Sequence, residues 1–558
     1  MTGHRRIVIV GGVAAGMSAA TRLRRLDETA AITVIERAAE VSIATCGMPY
    51  LIGGAIADRA ELLLQSPERL RERFDLDVRV RTSALEIDRV AGELVVEGPE
   101  GVERLPYDEL VLATGAAPIR PEIPGAERAH VLRDLADLDG IMAALERGAR
   151  NAVVLGGGFV GIEVVENLHA RGVRVTLVQR AGQLLGGFDP EMVAPLAEAM
   201  IEAGVELRFG AEATAIESDR VLLDDGSEAQ ADLVIAAIGI RPEADLARAA
   251  GLALGPSGGV LVDAEFRTDD PRIRAVGDVA EKADAVLGGT RSVPLGGPAN
   301  HHGRLVADAI AGLPVRVEPS IGVAIIGAFG VTAALAGASE TRLREAGRAH
   351  RVVHTHPLDH VGYYPGAQAM SLKLLIDADD DRILGAQAVG GEGVDRRIDV
   401  IATAMRGGVT ASALATLELA YAPQYGAAKD AVNMLGYVAD NRRSGERAIQ
   451  WHELDAALAA GERLIDVRGA GQLAEGLIPG AEWIPVEELR ARVDELRAGP
   501  VVVHCRVGQG AHTAVRLLEA YGVEVRNLDG GYLTWRAGVA ARELAGGTVL
   551  AAENGENR

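Results

Sequence analysis

Two thiols offer the most specific chemistry in this sequence. Cys46 and Cys505 are the only cysteines in 558 residues, too far apart to suggest a disulfide framework. A lone thiol acts as a nucleophile toward sulfur, oxidises to a sulfenic acid, or packs as a small hydrophobe. Cys46 lies in SIATCGMPYLIGG and has no neighbouring cysteine with which to close an internal disulfide. Ser42 and Thr45 before it and Gly47 after it read as the start of a helix, a position whose dipole favours thiolate. Cys505 follows the apolar run Val501 to Val503 and opens the loop Arg506 to Gly510, which leads into a helix. Successive backbone N–H groups in such a loop make an anion-binding nest. Two isolated thiols suit a reducing compartment, which favours the cytoplasm.

The elements that must hold these thiols follow from composition and pattern. A content of 48% hydrophobic and 24% charged residues is that of packed globular protein, and the length suggests about three or four domains. A net charge of -22 argues against binding to a nucleic acid backbone. Small anionic ligands stay open, since local arginines can hold them. No apolar run reaches the ~18 residues of a membrane span, and no metal-ligand set is read. The opening MTGHRRIVIVGGVAAGMSAA imitates a secretory signal, but is better explained as a strand, a glycine turn and a helix.

In that turn Gly11 and Gly16 hold the outer places of a GxGxxG pattern, with Val13 in the middle, and the next strand, AITVIER, ends in Glu36. Glycine lets the backbone approach a pyrophosphate at a helix N-terminus, and the acid bonds a ribose hydroxyl. A ligand-free packed turn is the alternative. The pattern returns intact as Gly156, Gly158 and Gly161 in NAVVLGGGFVGIEVVENLHARGVRVTLVQR, and two copies imply two dinucleotides. The second copy's strand ends in Gln179 and Arg180, so NADPH is somewhat favoured over NADH, unless Arg180 is a surface charge only.

With LATGAAP, AAIGIRP and AVGDVAE also present, residues 1 to 320 resemble the two-dinucleotide flavoprotein disulfide reductases. The resemblance implies FAD, with Thr114 and Gly115 near the domain crossing and Asp278 on the ribityl chain of the flavin. Ser42 to Gly54 is similar to the SxxxC motif of the single-cysteine branch, which comprises coenzyme A disulfide reductases, NADH oxidases, NADH peroxidases and persulfide reductases. Thr45 departs from that branch's usual Asn.

HVGYYPGAQAMSLKLLID, GEGVDRRIDVIATAM and LELAYAPQYGAAKDAVNMLGYVADN together resemble the dimerisation domain of the coenzyme A reducing members. By that resemblance Tyr363 and Tyr421 reach the partner subunit's active-site cysteine, with Tyr364 and Tyr425 as neighbours. Core or turn packing is the other reading of these tyrosines. PANHHGR is similar to a family segment that places Asn300 and Arg304 on the substrate side. Arg22 and Arg25 are candidates for coenzyme A phosphates, or else solvated charges. After ADNRRSGER the chain resembles a single rhodanese domain, in which Cys505 carries sulfur as a persulfide and Arg506 binds substrate. The family often has Arg where Gly510 stands, which weakens thiosulfate binding, and Leu477 replaces a usual His.

The expected fold is α/β. Its FAD-binding domain covers 1–120 and 245–318, and its NAD(P)H-binding domain covers 121–244; both are Rossmann-like. An α+β dimerisation domain at 319–440 follows, then a linker at 441–448, an α/β rhodanese domain at 449–545 and a flexible tail at 546–558. The expected activity is a homodimeric FAD-dependent NAD(P)H oxidoreductase that reduces coenzyme A disulfide or persulfides through a mixed disulfide at Cys46. Coenzyme A is then substrate or tightly bound ligand. The rivals are an NADH oxidase or peroxidase of the same fold, and a flavin-bound redox sensor whose rhodanese domain serves docking.

Overall fold

The computed structural model describes residues 4–549. The chain divides into two compact units. One runs to Val178 and resumes over Glu212–Ser320; the other joins Gln179–Ala211 to the chain from Ile321 onward.

In the first unit the run IVIV is buried within the strand Arg6–Val10. That strand pairs in parallel with Ala31–Ile35 and Glu109–Leu112, and Asp77–Arg79 and Ile273–Ala275 complete a five-stranded parallel sheet. The strands are apolar almost throughout because parallel sheets are covered on both faces. The helices Ala14–Leu26 and Gly296–Ile310 pack closely on one face. Gly303 permits this: a Cβ there would lie 2.2 Å from the carbonyl oxygen of Ala15. The second glycine pattern repeats the logic, with Asn151–Leu155 central between Arg174–Gln179 and Leu233–Ala236, all parallel. Ala116–Pro118 and Ile240–Pro242 pair antiparallel where the chain crosses between the two sheets.

In the second unit Ala324–Ala328, Val331–Gly337, Ile383–Gly390, Met370–Asp377 and His350–Thr355 form an antiparallel sheet in that order. Leu372, Leu374 and Ile376 face a core shared with the helices Val394–Arg406 and Ala431–Arg443. The last domain is a five-stranded parallel sheet in the order Ala448–Ile449, Val525–Leu528, Val501–His504, Arg463–Asp466, Glu482–Trp483.

Three boundaries differ from the sequence reading. Gln179–Ala211, expected within the NAD(P)H-binding domain, belongs to the second unit, because the helix Pro190–Glu202 packs on the strands Val331–Gly337 and Ile383–Gly390 and on the helix Gly531–Ala545. The expected linker 441–448 is clasped. The side chains of Arg442 and Glu446 are 6% and 3% exposed and form an ion pair of 2.6 Å. Thr548–Val549, expected in a flexible tail, pairs antiparallel with Arg208 and Leu207; residues 550–558 lie outside the described residues. Among the described residues no helix is long and apolar enough to cross a membrane.

Candidate active sites

The first site is built around the first glycine turn. Gly11 has φ +111°, and a Cβ there would lie 2.2 Å from the Ala113 carbonyl oxygen, so only glycine allows strand and turn to meet. Glu36 turns its carboxylate back on the same turn, accepting hydrogen bonds from the backbone N–H of Gly12 and of Ala38, each at 2.8 Å. Ser42 joins the turn through its backbone: its N–H donates to the Gly12 carbonyl at 2.8 Å, while its own carbonyl accepts from Leu64. Ser42 does so with φ 54°, a left-handed conformation uncommon outside glycine. The turn thus fixes the segment that carries Cys46, and Cys46 itself is exposed. That exposure rules out the reading of Cys46 as a packed hydrophobe.

The pattern fits an FAD on one further observation. Asp278 is mostly buried and its Oδ1 has no hydrogen-bond partner. Burial raises its pKa, against the pull of Lys282, whose own Nζ donates to the Gly277 carbonyl at 2.7 Å. A buried carboxyl oxygen without a partner is rare unless a ligand completes it, and a polyol hydroxyl would do so.

Other expected residues are engaged with protein. Thr114 donates its hydroxyl to the Glu243 carbonyl at 2.7 Å, and Gly115 accepts from the Glu243 N–H, so both stitch the domain crossing. Arg22 pairs with Asp308 at 2.8 Å, half-buried, whereas Arg25 is exposed, with its guanidinium 5.1 Å from the Phe74 ring centroid. Asn300 accepts from the Ser18 hydroxyl at 2.7 Å, which puts it on the face shared by the helices Ala14–Leu26 and Gly296–Ile310. Arg304 is exposed on the second of these.

At the second glycine turn a Cβ on Gly156 would lie 2.3 Å from the Ala237 carbonyl oxygen, and one on Gly161 would lie 2.0 Å from that of Gly156. Around Gly158 nothing lies within 4 Å. Packing therefore explains two of these glycines and not the third, whose open side suits a pyrophosphate. Gln179 donates to the Gln183 carbonyl, and Arg180 is exposed. Tyr50, four residues after Cys46, donates its hydroxyl to Glu163 on the helix that follows this turn, at 3.4 Å. No sequence pattern pointed to that pair.

The second thiol is 6% exposed. None of the backbone N–H groups from Arg506 to Ala511 has a protein acceptor among the described residues, which is the condition for an anion-binding nest. A Cβ on Gly510 would stand 3.3 Å from the Cys505 Cβ and 3.5 Å from its Sγ; glycine keeps space at the sulfur. Arg506, expected to bind substrate, directs its Nε to both carboxylate oxygens of Glu475 at 2.8 Å. Leu477 is exposed nearby in sequence.

The tyrosines gather on the surface of the dimerisation domain. The Tyr363 and Tyr421 hydroxyls are 3.1 Å apart, and Tyr363, Tyr421 and Tyr425 are exposed at 76%, 45% and 67%, which excludes core packing. Tyr364 accepts from Gln424.

Sequence reasoning missed a buried polar row across the sheet beneath. His354, Lys373 and Gln387 stand in register on adjacent strands. Lys373 is fully buried, with Nζ 2.6 Å from Glu191, 2.6 Å from Glu340 and 2.9 Å from Asp189. The signal was a lysine within the apolar strand MSLKLLID.

Comparison with known proteins agrees with this architecture. The family described as pyridine nucleotide-disulphide oxidoreductase matches residues 5–303, its dimerisation domain matches 323–432, and a rhodanese-like domain matches 450–538. A coenzyme A disulfide reductase of Staphylococcus haemolyticus is 31% identical over 78% of this chain and 99% of its own. The structure of reduced CoADR-RHD from Bacillus anthracis is similar at 41% identity and TM-score 0.95, over 97% of this chain and 99% of that one. An NAD-dependent persulfide reductase from A. fulgidus is similar at 36% identity and TM-score 0.89, over 95% and 100%. With glycine turns, exposed thiol and loop nest placed as described, the chain belongs to the pyridine nucleotide-disulphide oxidoreductases and is an FAD-dependent NAD(P)H oxidoreductase carrying a rhodanese-like domain.

Proposed function

We propose that this protein reduces the disulfide or persulfide of coenzyme A at Cys46, and that Cys505 carries sulfane sulfur to an acceptor thiol. The observation that carries the reading is the exposed Cys46 on a segment bonded to the Gly12 carbonyl. The named relatives support the substrate class. FAD, when bound, passes the two electrons of NAD(P)H toward the thiol.

Cys46 as thiolate attacks one sulfur of the substrate, and the other sulfur leaves as thiol or hydrosulfide, giving a mixed disulfide. Two electrons and a proton then return Cys46 to thiolate and free coenzyme A. In this reading Tyr363 and Tyr421, paired and exposed, serve the cysteine of a second copy in a homodimer, donating a proton to the departing sulfur. Asn300, Arg304 and Ser42 line the substrate side. Gln179 and Arg180 give a modest preference for NADPH. The cytoplasm is the compartment in which both thiols stay reduced.

Turnover of NAD(P)H with coenzyme A disulfide, coenzyme A persulfide, oxygen and peroxide, compared side by side, tests the reading. Disulfide or persulfide should be preferred, and Cys46→Ser should remove that activity with FAD retained. Faster turnover of oxygen or peroxide would replace it with an oxidase or peroxidase, and no turnover at all with a sensor.

A further inference from the structure

We propose that His354, in the dimerisation domain, is a positioning residue for Cys505: by gripping Asp529 it fixes, through a row of alternating charges, the loop that cradles the sulfur. The inference deepens the proposed function and rests on its reading of Cys505 as a sulfur carrier.

The row begins at Lys373 and passes through Glu191 to His354, whose Nε2 lies 3.2 Å from Glu191 Oε1. His354 binds Asp529 Oδ2 twice, through its backbone N–H and through Nδ1, each at 2.8 Å. The other oxygen of Asp529 accepts from Arg442 Nη2 at 2.9 Å, and Arg442 Nη1 donates to Glu446 at 2.6 Å. Glu446 then splits the path. It accepts from Asn527, whose amide is also 3.5 Å from the Gly508 carbonyl, and its second oxygen meets His512 on the helix that leaves the loop.

Asp529 also acts directly along the chain. It is followed by Gly530 and Gly531, after which the N–H of Tyr532 donates to the Cys505 carbonyl at 2.9 Å and that of Leu533 to the Arg506 carbonyl at 3.1 Å. A Cβ on Gly531 would lie 2.5 Å from the Cys505 carbonyl oxygen. The loop is therefore held at Cys505 and Arg506 by the backbone that follows Asp529, at Gly508 by Asn527, itself bonded to Glu446, and at His512 by Glu446. His354 is 3% exposed and Asp529 1%, so the contact is shielded from bulk water; Gln450 Nε2 is the other side-chain donor to Asp529 Oδ2, at 3.4 Å.

The grip depends on charge. The row sets the cations Lys373, His354 and Arg442 against Asp189, Glu191, Glu340, Asp529 and Glu446, so loss of the His354 proton leaves buried carboxylates short of a partner. Burial opposes that proton, but the hydrogen bonds to Asp529 and Glu191 outweigh it and hold His354 at about 9, with Lys373 opposing from the next strand. His356, two residues on, is pushed down to about 3, chiefly by burial and then by the His354 charge.

The test uses the full-length holoenzyme and its two cysteines, with iodoacetamide labelling followed by peptide mass spectrometry. In His354→Gln, Cys505 should alkylate faster by about tenfold, as the loop opens locally, while Cys46 alkylates at its usual rate. Sulfur transfer from glutathione persulfide should fall in kcat more than in KM. In the parent protein, Cys505 labelling, normalised to free cysteine, should climb again above pH 9, and that rise should be missing in His354→Gln. Cys505 labelling and pH profile unchanged in this variant would overturn the proposal. If the parent protein transfers no sulfur, the carrier reading fails alone, because labelling still reports the coupling. Should His354→Gln not fold, Glu446→Gln at the far end of the row must accelerate Cys505 labelling in the same way, and unchanged labelling there overturns the proposal equally.

Discussion

Replacing Lys373 with Met removes one buried cation from among three carboxylates. The side chain is fully buried, and its ammonium is the common partner of Asp189, Glu191 and Glu340. Methionine preserves the length and loses the charge, leaving these acids with His354, His350 and the partly exposed Arg344 as cationic partners. Breaking a buried pair by deleting one partner costs about 3–5 kcal/mol. Native-state hydrogen exchange reads that loss locally. Amides of the strand Met370–Asp377 should exchange about a hundred to several thousand times faster at neutral pH. The pH dependence supplies a second check. Against the effect of burial, Lys373 and His354 hold Glu191 well below the usual carboxylate range, and hydrogen bonding by His350 together with Lys373 brings Glu340 to about 2. A carboxylate depressed in the folded state contributes stability that is present above its unfolded pKa and lost as pH falls through the folded one. Without Lys373 burial dominates and the sign reverses, so the deficit of Lys373→Met should narrow from pH 7 to pH 5. Exchange within threefold of the parent, or a deficit that widens on acidification, would refute the reasoning.

Three further outcomes are expected. Gly11→Val should yield colourless protein, since its side chain would enter the Ala113 carbonyl oxygen, 2.2 Å from the Cβ position; a flavin absorbance spectrum decides. Arg180→Ala should lower kcat/KM for NADPH more than for NADH, by about 1–3 kcal/mol if the arginine makes a charged hydrogen bond to the 2′-phosphate, whereas equal losses make it a bystander. His354 is raised in the folded state from 6.5 to about 9, so its contribution, about 3 kcal/mol, is complete below pH 6.5 and lost as pH rises through 9. Urea midpoints from pH 6 to 10 should show that fall in the parent and not in His354→Gln.

The parts of the fold that were legible in sequence are those in which a local pattern has one physical cause. Gly11, Gly16, Gly156 and Gly161 each face a backbone oxygen or its carbon at a distance no side chain tolerates, so the turns they make announce themselves. Cys46 and Cys505 were conspicuous through isolation. Less legible were residues whose work is defined by distant partners. Thr114 and Gly115 sit in a recognisable motif, yet their hydrogen bonds go to Glu243, more than a hundred residues on. Arg506 was expected at the substrate and instead faces Glu475. Polarity alone marked 441–448 as a linker, because Arg442, Glu446 and Asp529 look solvated until their pairing is seen. Lys373 lies within an apolar strand, and only the register that sets it beside His354 and Gln387 reveals the buried polar row to which it belongs.

The clasp over residues 441–448 bears on how sulfur travels. Transfer domains that ferry a bound group usually hang from a loose tether, and their reach is the length of that tether. Here the segment that would be the tether is pinned by Arg442 to Glu446 and Asp529, and the last described strand, Thr548–Val549, is sewn to Arg208 and Leu207. Cys505 therefore keeps a fixed address on the dimerisation domain and cannot swing. If Cys505 carries sulfur as proposed, that sulfur must be collected by a mobile courier, a thiol small enough to diffuse to the mouth of the loop and away again, so the rate of hand-over should follow the concentration of that thiol.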